Sequence, residues 1–247
     1  MKTEKGNKKD DESLDTFYLG QIYIIQKKKG YRFSVDAPIL ADFIRTTSSD
    51  EIIELGTGNG IISLLLSIKP FKHITALEIQ ESLADLAVRN VILNNLEEKI
   101  SVHCCDFCTY QPRKKFDIVF SNPPYIKKHE GRLSPFSEKS VAKHELKCDI
   151  LSLMRKTGEL LREKGRAYFI FPARRKEEFE QAASDHGLKV NKIRYVKNKK
   201  NSPPDLFLSE CGFSSKKKTL LPPLVLYDNK GNYSSEALEI FSGRFNG

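Results

Sequence analysis

Long apolar runs are missing from this 247-residue sequence. The longest, Ile61 to Ile68, is broken by Ser63 and Ser67, and a membrane-spanning helix needs roughly 20 apolar residues. No secretory leader is expected either: Met1 to Asp15 is charged and has no apolar centre. Nor is a paired cysteine framework. Cys104, Cys105, Cys108, Cys148 and Cys211 are odd in number and irregular in spacing. Cys105 and Cys108 have the two-residue gap of a metal or redox pair, but no second pair follows, so thiols packed near a strand end are expected and no metal. No internal repeat is visible. These absences argue against membrane, secreted-scaffold and repeat classes, and the expected compartment is the cytoplasm.

What is present is an ordinary globular composition, 39% hydrophobic and 30% charged. The length suffices for a large core. The formal charge of +9 points to a polyanionic partner, nucleic acid before membrane. The basic residues cluster at Lys27–Lys29, Arg113–Lys115, Lys127–Lys128, Arg174–Lys176, Lys197 with Lys199–Lys200, and Lys216–Lys218. Each cluster taken alone also reads as a solvated loop.

Residues 1–13 are polar and expected to be a disordered tail, with a single domain over 14–247. From Glu51 onward, strand-like and helix-like segments alternate, the pattern of a parallel sheet covered by helices. Strands are expected at Glu51–Leu55, His73–Glu78, Ile100–Cys105, Phe116–Ser121 and Arg166–Phe171. Helices are expected at Val35–Ile44, Ile61–Ile68, Glu81–Asn94, Leu146–Lys164 (stopped by Gly165), Lys176–His186 and Ser235–Phe241. Tyr18–Gln26 is strand-like, Lys189–Val196 and Leu206–Phe213 suit an antiparallel hairpin at the sheet edge, and Leu224–Tyr227 suits a short strand. The expected fold is a Rossmann-like, doubly wound α/β sheet of seven strands, mostly parallel.

Three features fall at successive strand ends. Glu54-Leu-Gly56-Thr-Gly58-Asn-Gly60 follows one strand and opens a helix, and its spacing differs from the G-x-G-x-x-G of nicotinamide enzymes. Glu78 ends the next strand, where a ribose diol needs a carboxylate acceptor. Asp106-Phe107 follows the third. Together they suit a nucleoside lying across the crevice of an open sheet. Asn122-Pro123-Pro124-Tyr125 ends the fourth strand beside that crevice. A planar NH2 is a poor nucleophile because its lone pair is delocalised. The Asn122 side-chain oxygen and the Pro123 carbonyl could accept its hydrogens and aim the lone pair, while Tyr125 offers a stacking face. The simpler reading of each piece is a plain turn or a solvated acid.

With these motifs in place, the chain resembles class I S-adenosylmethionine-dependent methyltransferases of the Asn-Pro-Pro-Tyr type over about residues 15–245. That family methylates amino groups of adenine, cytosine or guanine, or the glutamine amide of protein. The resemblance implies that Gly56, Gly58 and Gly60 line the methionine part of the cofactor with Glu54 nearby. It further implies that Glu78 binds the ribose hydroxyls and that Asp106 and Phe107 contact the adenine. Two subfamilies compete. Release-factor glutamine methyltransferases share the string Asn122 to Ile126, but they carry a helical domain before the glycine motif. The bacterial tRNA1(Val) (adenine(37)-N6)-methyltransferase family is similar at Tyr31–Phe43, Leu206–Gly212 and Pro222–Leu238, and is favoured. Cys211 and Phe213 depart from it, in a segment expected to be more basic. The implied partner is tRNA. Other rRNA or DNA amino-methyltransferases, and a non-enzymatic RNA-binding module on the same fold, remain alternatives. The sequence leaves the oligomeric state open.

Overall fold

A computed structural model describes residues 8–29, 35–123, 150–214 and 217–244. Strands β1 (Glu12–Phe17) and β2 (Ile22–Lys27) form an antiparallel hairpin of their own. Strand β1 starts inside the stretch expected to be a tail, because its buried Glu12 ion-pairs with Arg89 and Lys27. Strand β2 starts later than Tyr18 because Tyr18 and Leu19 turn at φ values of 50° and 57°.

Helix α1 (Asp36–Phe43), β3 (Glu51–Leu55), α2 (Ile61–Leu66), β4 (His73–Glu78), α3 (Glu81–Leu93), β5 (Ile100–Cys104) and β6 (Phe116–Ser121) follow close to expectation. Then come α4 (Ile150–Leu160), β7 (Leu161–Pro172), α5 (Lys176–Asp185), β8 (Lys189–Lys197), β9 (Leu206–Gly212), β10 (Thr219–Val225) and α6 (Ser235–Ser242).

The main sheet has the order β10-β8-β9-β7-β6-β3-β4-β5. Only β9 runs against its neighbours. The mostly parallel α/β architecture matches the expectation, and two details are corrected. The sheet has eight strands rather than seven, and the β8–β9 hairpin is not its edge, because β10 pairs in parallel with β8 and covers it. Pro222 and Pro223 hid this strand. Proline cannot donate to a ladder, but an edge strand tolerates it, here with a register shift between Leu221 and Leu224.

The helix expected to run to Lys164 ends at Leu160 instead; residues 146–149 lie outside the described residues. Arg162, Glu163 and Lys164 are good helix formers. Pairing overrides them: Leu161 is wholly buried opposite Phe116, and Arg162 ion-pairs with Asp117. Gly165 therefore sits within β7, where a Cβ would stand 2.7 Å from Leu161 Cδ1.

Adjacent residues of β3 enter opposite cores. Ile52 belongs to the core that also takes in residues of α1, α2 and α6, and Ile53 to the core that takes in residues of α4 and α5. Burial on both faces is why β3 reads as a short unbroken run rather than an alternation. From β3 the chain winds one way to β4 and β5, and the other way to β6 and β7. The reversal opens a crevice at the carboxyl ends of β3 and β6, where open α/β sheets bind ligands. Among the described residues, no helix is long and apolar enough to cross a membrane.

Candidate active site

The loop after β3 is built on glycine. Gly56, Gly58 and Gly60 take φ values of 78°, 60° and 86°, a region that L side chains rarely adopt. The Gly56 and Thr57 N–H groups donate to the Leu77 carbonyl at 2.9 and 2.8 Å, which ties the loop to the end of β4. No heavy atom outside the adjoining residues lies within 4 Å of a Cβ built at Gly56, so its backbone is open to a ligand. Gly60 serves packing instead: its Cβ would meet that of Ala87 at 3.3 Å, which sets how closely α2 and α3 approach.

Two carboxylates flank this loop. The buried Glu78, at the end of β4, accepts the Gly58 N–H on Oε2 at 2.8 Å and the Gln80 N–H on Oε1 at 2.9 Å. A carboxylate has about four lone-pair sites, so both oxygens keep capacity for a hydroxyl donor. Glu54 is buried beneath the loop. The Thr57 and Ser63 hydroxyls donate to its Oε2. Burial raises its pKa to about 8; those hydroxyls oppose the rise and the charge of Glu78 adds to it. Burial thus favours the protonated form of this acid beneath the loop.

Asp106 and Phe107 stand at the end of β5, joined to β4 by the Cys105 N–H donating to the Glu78 carbonyl at 2.9 Å. Asp106 Oδ1 accepts the Cys108 N–H at 2.9 Å, and Phe107 is buried with Leu55 and Leu77. Cys105 and Cys108 pack against the same core. Among the described residues, no group of three or more potential metal-binding side chains occurs.

On the other side of the crevice, the Ser121 hydroxyl donates to the Leu55 carbonyl at 2.6 Å and clamps the end of β6 to the end of β3. Asn122, half-buried, and Pro123, buried, thus leave the sheet beside the glycine loop. Pro124 and Tyr125 lie outside the described residues. The fold accordingly brings Glu54, the three glycines, Glu78, Asp106, Phe107, Asn122 and Pro123 to one edge of four adjacent strands.

Sequence reading missed Thr57, Ser63, Ser121 and above all Asn90. The Asn90 amide, wholly buried on α3, donates from Nδ2 to the carbonyls of Ile25 and Asn59, each at 2.9 Å. Its Oδ1 accepts the Ile25 N–H at 2.6 Å. Asn94, one turn later, pairs likewise with both backbone groups of Tyr23. Two asparagines at i and i+4 thus act as a ladder for residues two apart on β2, and Asn90 links that hairpin to the glycine loop. The available signal was polar residues at helical spacing among apolar ones.

Residues 32–180 match the methyltransferase small domain family. This chain is a member of that family. Among curated relatives, it is similar to a tRNA1(Val) (adenine(37)-N6)-methyltransferase of a Flavobacteriaceae bacterium, with 27% identity covering 92% of this chain and 96% of the relative. It is similar to an enzyme of the same name from Aliivibrio fischeri, with 29% identity covering 91% and 95%. Among solved structures, a predicted O-methyltransferase of Agrobacterium tumefaciens shares the fold, with a TM-score of 0.67, 17% identity and coverage of 85% and 97%. The matched family segment holds the glycine loop, Glu78, Asp106 and Asn122.

Proposed function

We propose that this chain transfers a methyl group from S-adenosylmethionine to the exocyclic N6 amine of an adenine in tRNA, the base next to the anticodon of valine tRNA. The observation that carries the reading is the emergence of Asn122 and Pro123 from β6 beside the glycine loop, held there by the Ser121–Leu55 hydrogen bond. The tRNA methyltransferases to which the chain is similar along nearly its whole length support the choice of acceptor.

The residues present suit the cofactor. Gly56 offers open backbone, Glu78 offers an acceptor for a ribose diol, and Asp106 with Phe107, at the end of the neighbouring β5, suits an adenine. Glu54, buried beneath the loop, would be near the methionine part. When bound, S-adenosylmethionine supplies an electrophilic methyl carbon. The chain contributes position. The Asn122 side-chain oxygen and the Pro123 carbonyl accept the two amine hydrogens, which localises the nitrogen lone pair and directs it. A base must leave its stack to reach them, and Tyr125 provides the face that receives it. Such a substrate puts the enzyme at work in the cytoplasm.

Purified protein incubated with labelled S-adenosylmethionine, total tRNA and release factor tests this directly. Label should appear in tRNA and co-migrate with N6-methyladenosine after digestion. Label confined to a release-factor glutamine would overturn the reading in favour of protein amide methylation.

A further inference from the structure

The six basic clusters look alike in sequence, but the sheet separates them. Arg113–Lys115 precedes β6 at its amino end, where Lys114 pairs with Glu51 at the start of β3. Asn122 follows the other end of β6, roughly 17 Å away at about 3.3 Å per residue. Lys217 and Lys218 join β9 to β10, again at the amino end of the parallel strands, and Lys218 pairs with Glu180. Lys27 is spent on Asp11 and Glu12. Lys127 and Lys128 lie outside the described residues.

Two clusters remain at the carboxyl end, on the Asn122 side. Arg174 follows β7, the strand next to β6, and the turn after β8 carries Lys199 and Lys200. These loops are stitched together: the Ala173 N–H donates to the Asp205 carbonyl at 2.9 Å, and the Tyr227 N–H to the Asn198 carbonyl at 2.9 Å. Within the first cluster Arg175 is bound to Glu178 and Lys176 to Glu180, whereas Arg174 is exposed and forms no ion pair among the described residues. Lys199 and Lys200 are likewise exposed and unpaired there. The nearby acids are engaged by backbone: Asp205 accepts the Asn198 N–H, and Asp228 accepts those of Lys230 and Asn232. The turn itself is held by Ser202, whose hydroxyl accepts the Lys199 N–H and donates to the Lys199 carbonyl.

We infer that Arg174, Lys199 and Lys200 form the phosphate-binding edge that docks the RNA backbone while its acceptor base enters at Asn122. The inference rests on the proposed RNA substrate. Three strand spacings separate β6 from β8, roughly 14 Å at about 4.8 Å each, so one RNA loop spans both. Exposed cations that form no ion pair among the described residues, held on two joined loops at the carboxyl end of the sheet, suit phosphate contacts that carry no sequence information but set register.

The test is tRNA binding measured against salt for the wild type, for Arg174→Ala/Lys199→Ala/Lys200→Ala, and for a far-end control, Arg113→Ala/Lys115→Ala/Lys217→Ala. Each lost phosphate contact lowers the slope of log Kobs against log salt by about 0.7–0.9. The first variant should lose roughly 2–3 units of slope and raise KM for tRNA, with S-adenosylhomocysteine affinity unchanged. The control should keep the wild-type slope. A wild-type slope in the first variant, or a loss confined to the control, would overturn the docking edge while leaving the RNA reading intact. A wild-type protein that neither binds nor methylates tRNA but methylates release factor would overturn both.

Discussion

The two halves of the sheet are built by different rules. In β3, β4 and β6 nearly every residue is buried, and each strand ends in a loop that carries a site residue. In the half formed by β8, β9 and β10 the strands are longer, one runs antiparallel, and the last is a largely exposed edge containing two prolines. The first half has little freedom, because packing on both faces and a ligand-facing loop constrain the same few residues. The second half is free to vary its turns, and one of them carries Lys199 and Lys200, exposed and without an ion pair among the described residues. On the proposed reading, cofactor and chemistry belong to the parallel half, and substrate docking to the other.

Asn122→Ala attacks that division where the effect should be largest. Losing an acceptor used mainly in the transition state should cost about 2–4 kcal/mol, roughly 30- to 1,000-fold in kcat. Cofactor affinity should stay within a few-fold. Single-turnover rates and calorimetry separate the two, and near-normal turnover would remove Asn122 from the chemistry.

Asn90→Ala comes next. It strips partners from the N–H and carbonyl of Ile25 and from the Asn59 carbonyl. Buried groups left without partners should lower stability by roughly 2–3 kcal/mol. Cofactor affinity should fall with it, because the Asn59 carbonyl belongs to the glycine loop. Urea unfolding with and without S-adenosylhomocysteine checks both, and an unchanged midpoint would contradict the clamp.

Glu54 supplies an effect with a definite sign, spread over several pH units. Its pKa in the folded protein, about 8, lies above the ordinary 4.5. The folded state thus holds a proton that the unfolded chain releases. The stability from this group is complete below about pH 4.5 and is lost as pH rises through 8. The loss is at most about 1.4 kcal/mol per pH unit. Glu54→Gln should flatten the fall in stability between pH 5 and 8. An unchanged slope in urea titrations at several pH values would contradict the assignment.

The smallest effect is expected in the other half. Leu220 on β10 is 66% exposed, so Leu220→Lys should change stability by no more than about 0.5 kcal/mol and also guard the open edge. A thermal melt showing a large loss would mean that β10 is packed rather than peripheral.

What was legible in the sequence follows the same division. Strands β3, β4 and β6 were readable because burial on both faces leaves a compact apolar run ending in glycine, an acid or Asn-Pro. Leu161–Lys164 was misread because local helix propensity and strand pairing disagree there, and propensity is the weaker term. Thr219–Val225 was misread because prolines normally argue against a strand. The helical spacing of Asn90 and Asn94 marked a polar pair, but the partners of Asn90 are backbone groups 31 and 65 residues away, which that spacing does not identify. The basic clusters were visible as charge, but only topology sorts them into two ends of a sheet.

The central claim, that one half of the sheet binds cofactor and the other docks RNA, is tested most directly by amide hydrogen exchange with each ligand in turn. S-adenosylhomocysteine should slow exchange in residues 54–60 and 78–80 and leave 197–205 as in the free protein. tRNA should slow exchange at 173–175 and 197–205. Protection of 197–205 by S-adenosylhomocysteine, or of neither region by tRNA, would contradict the division.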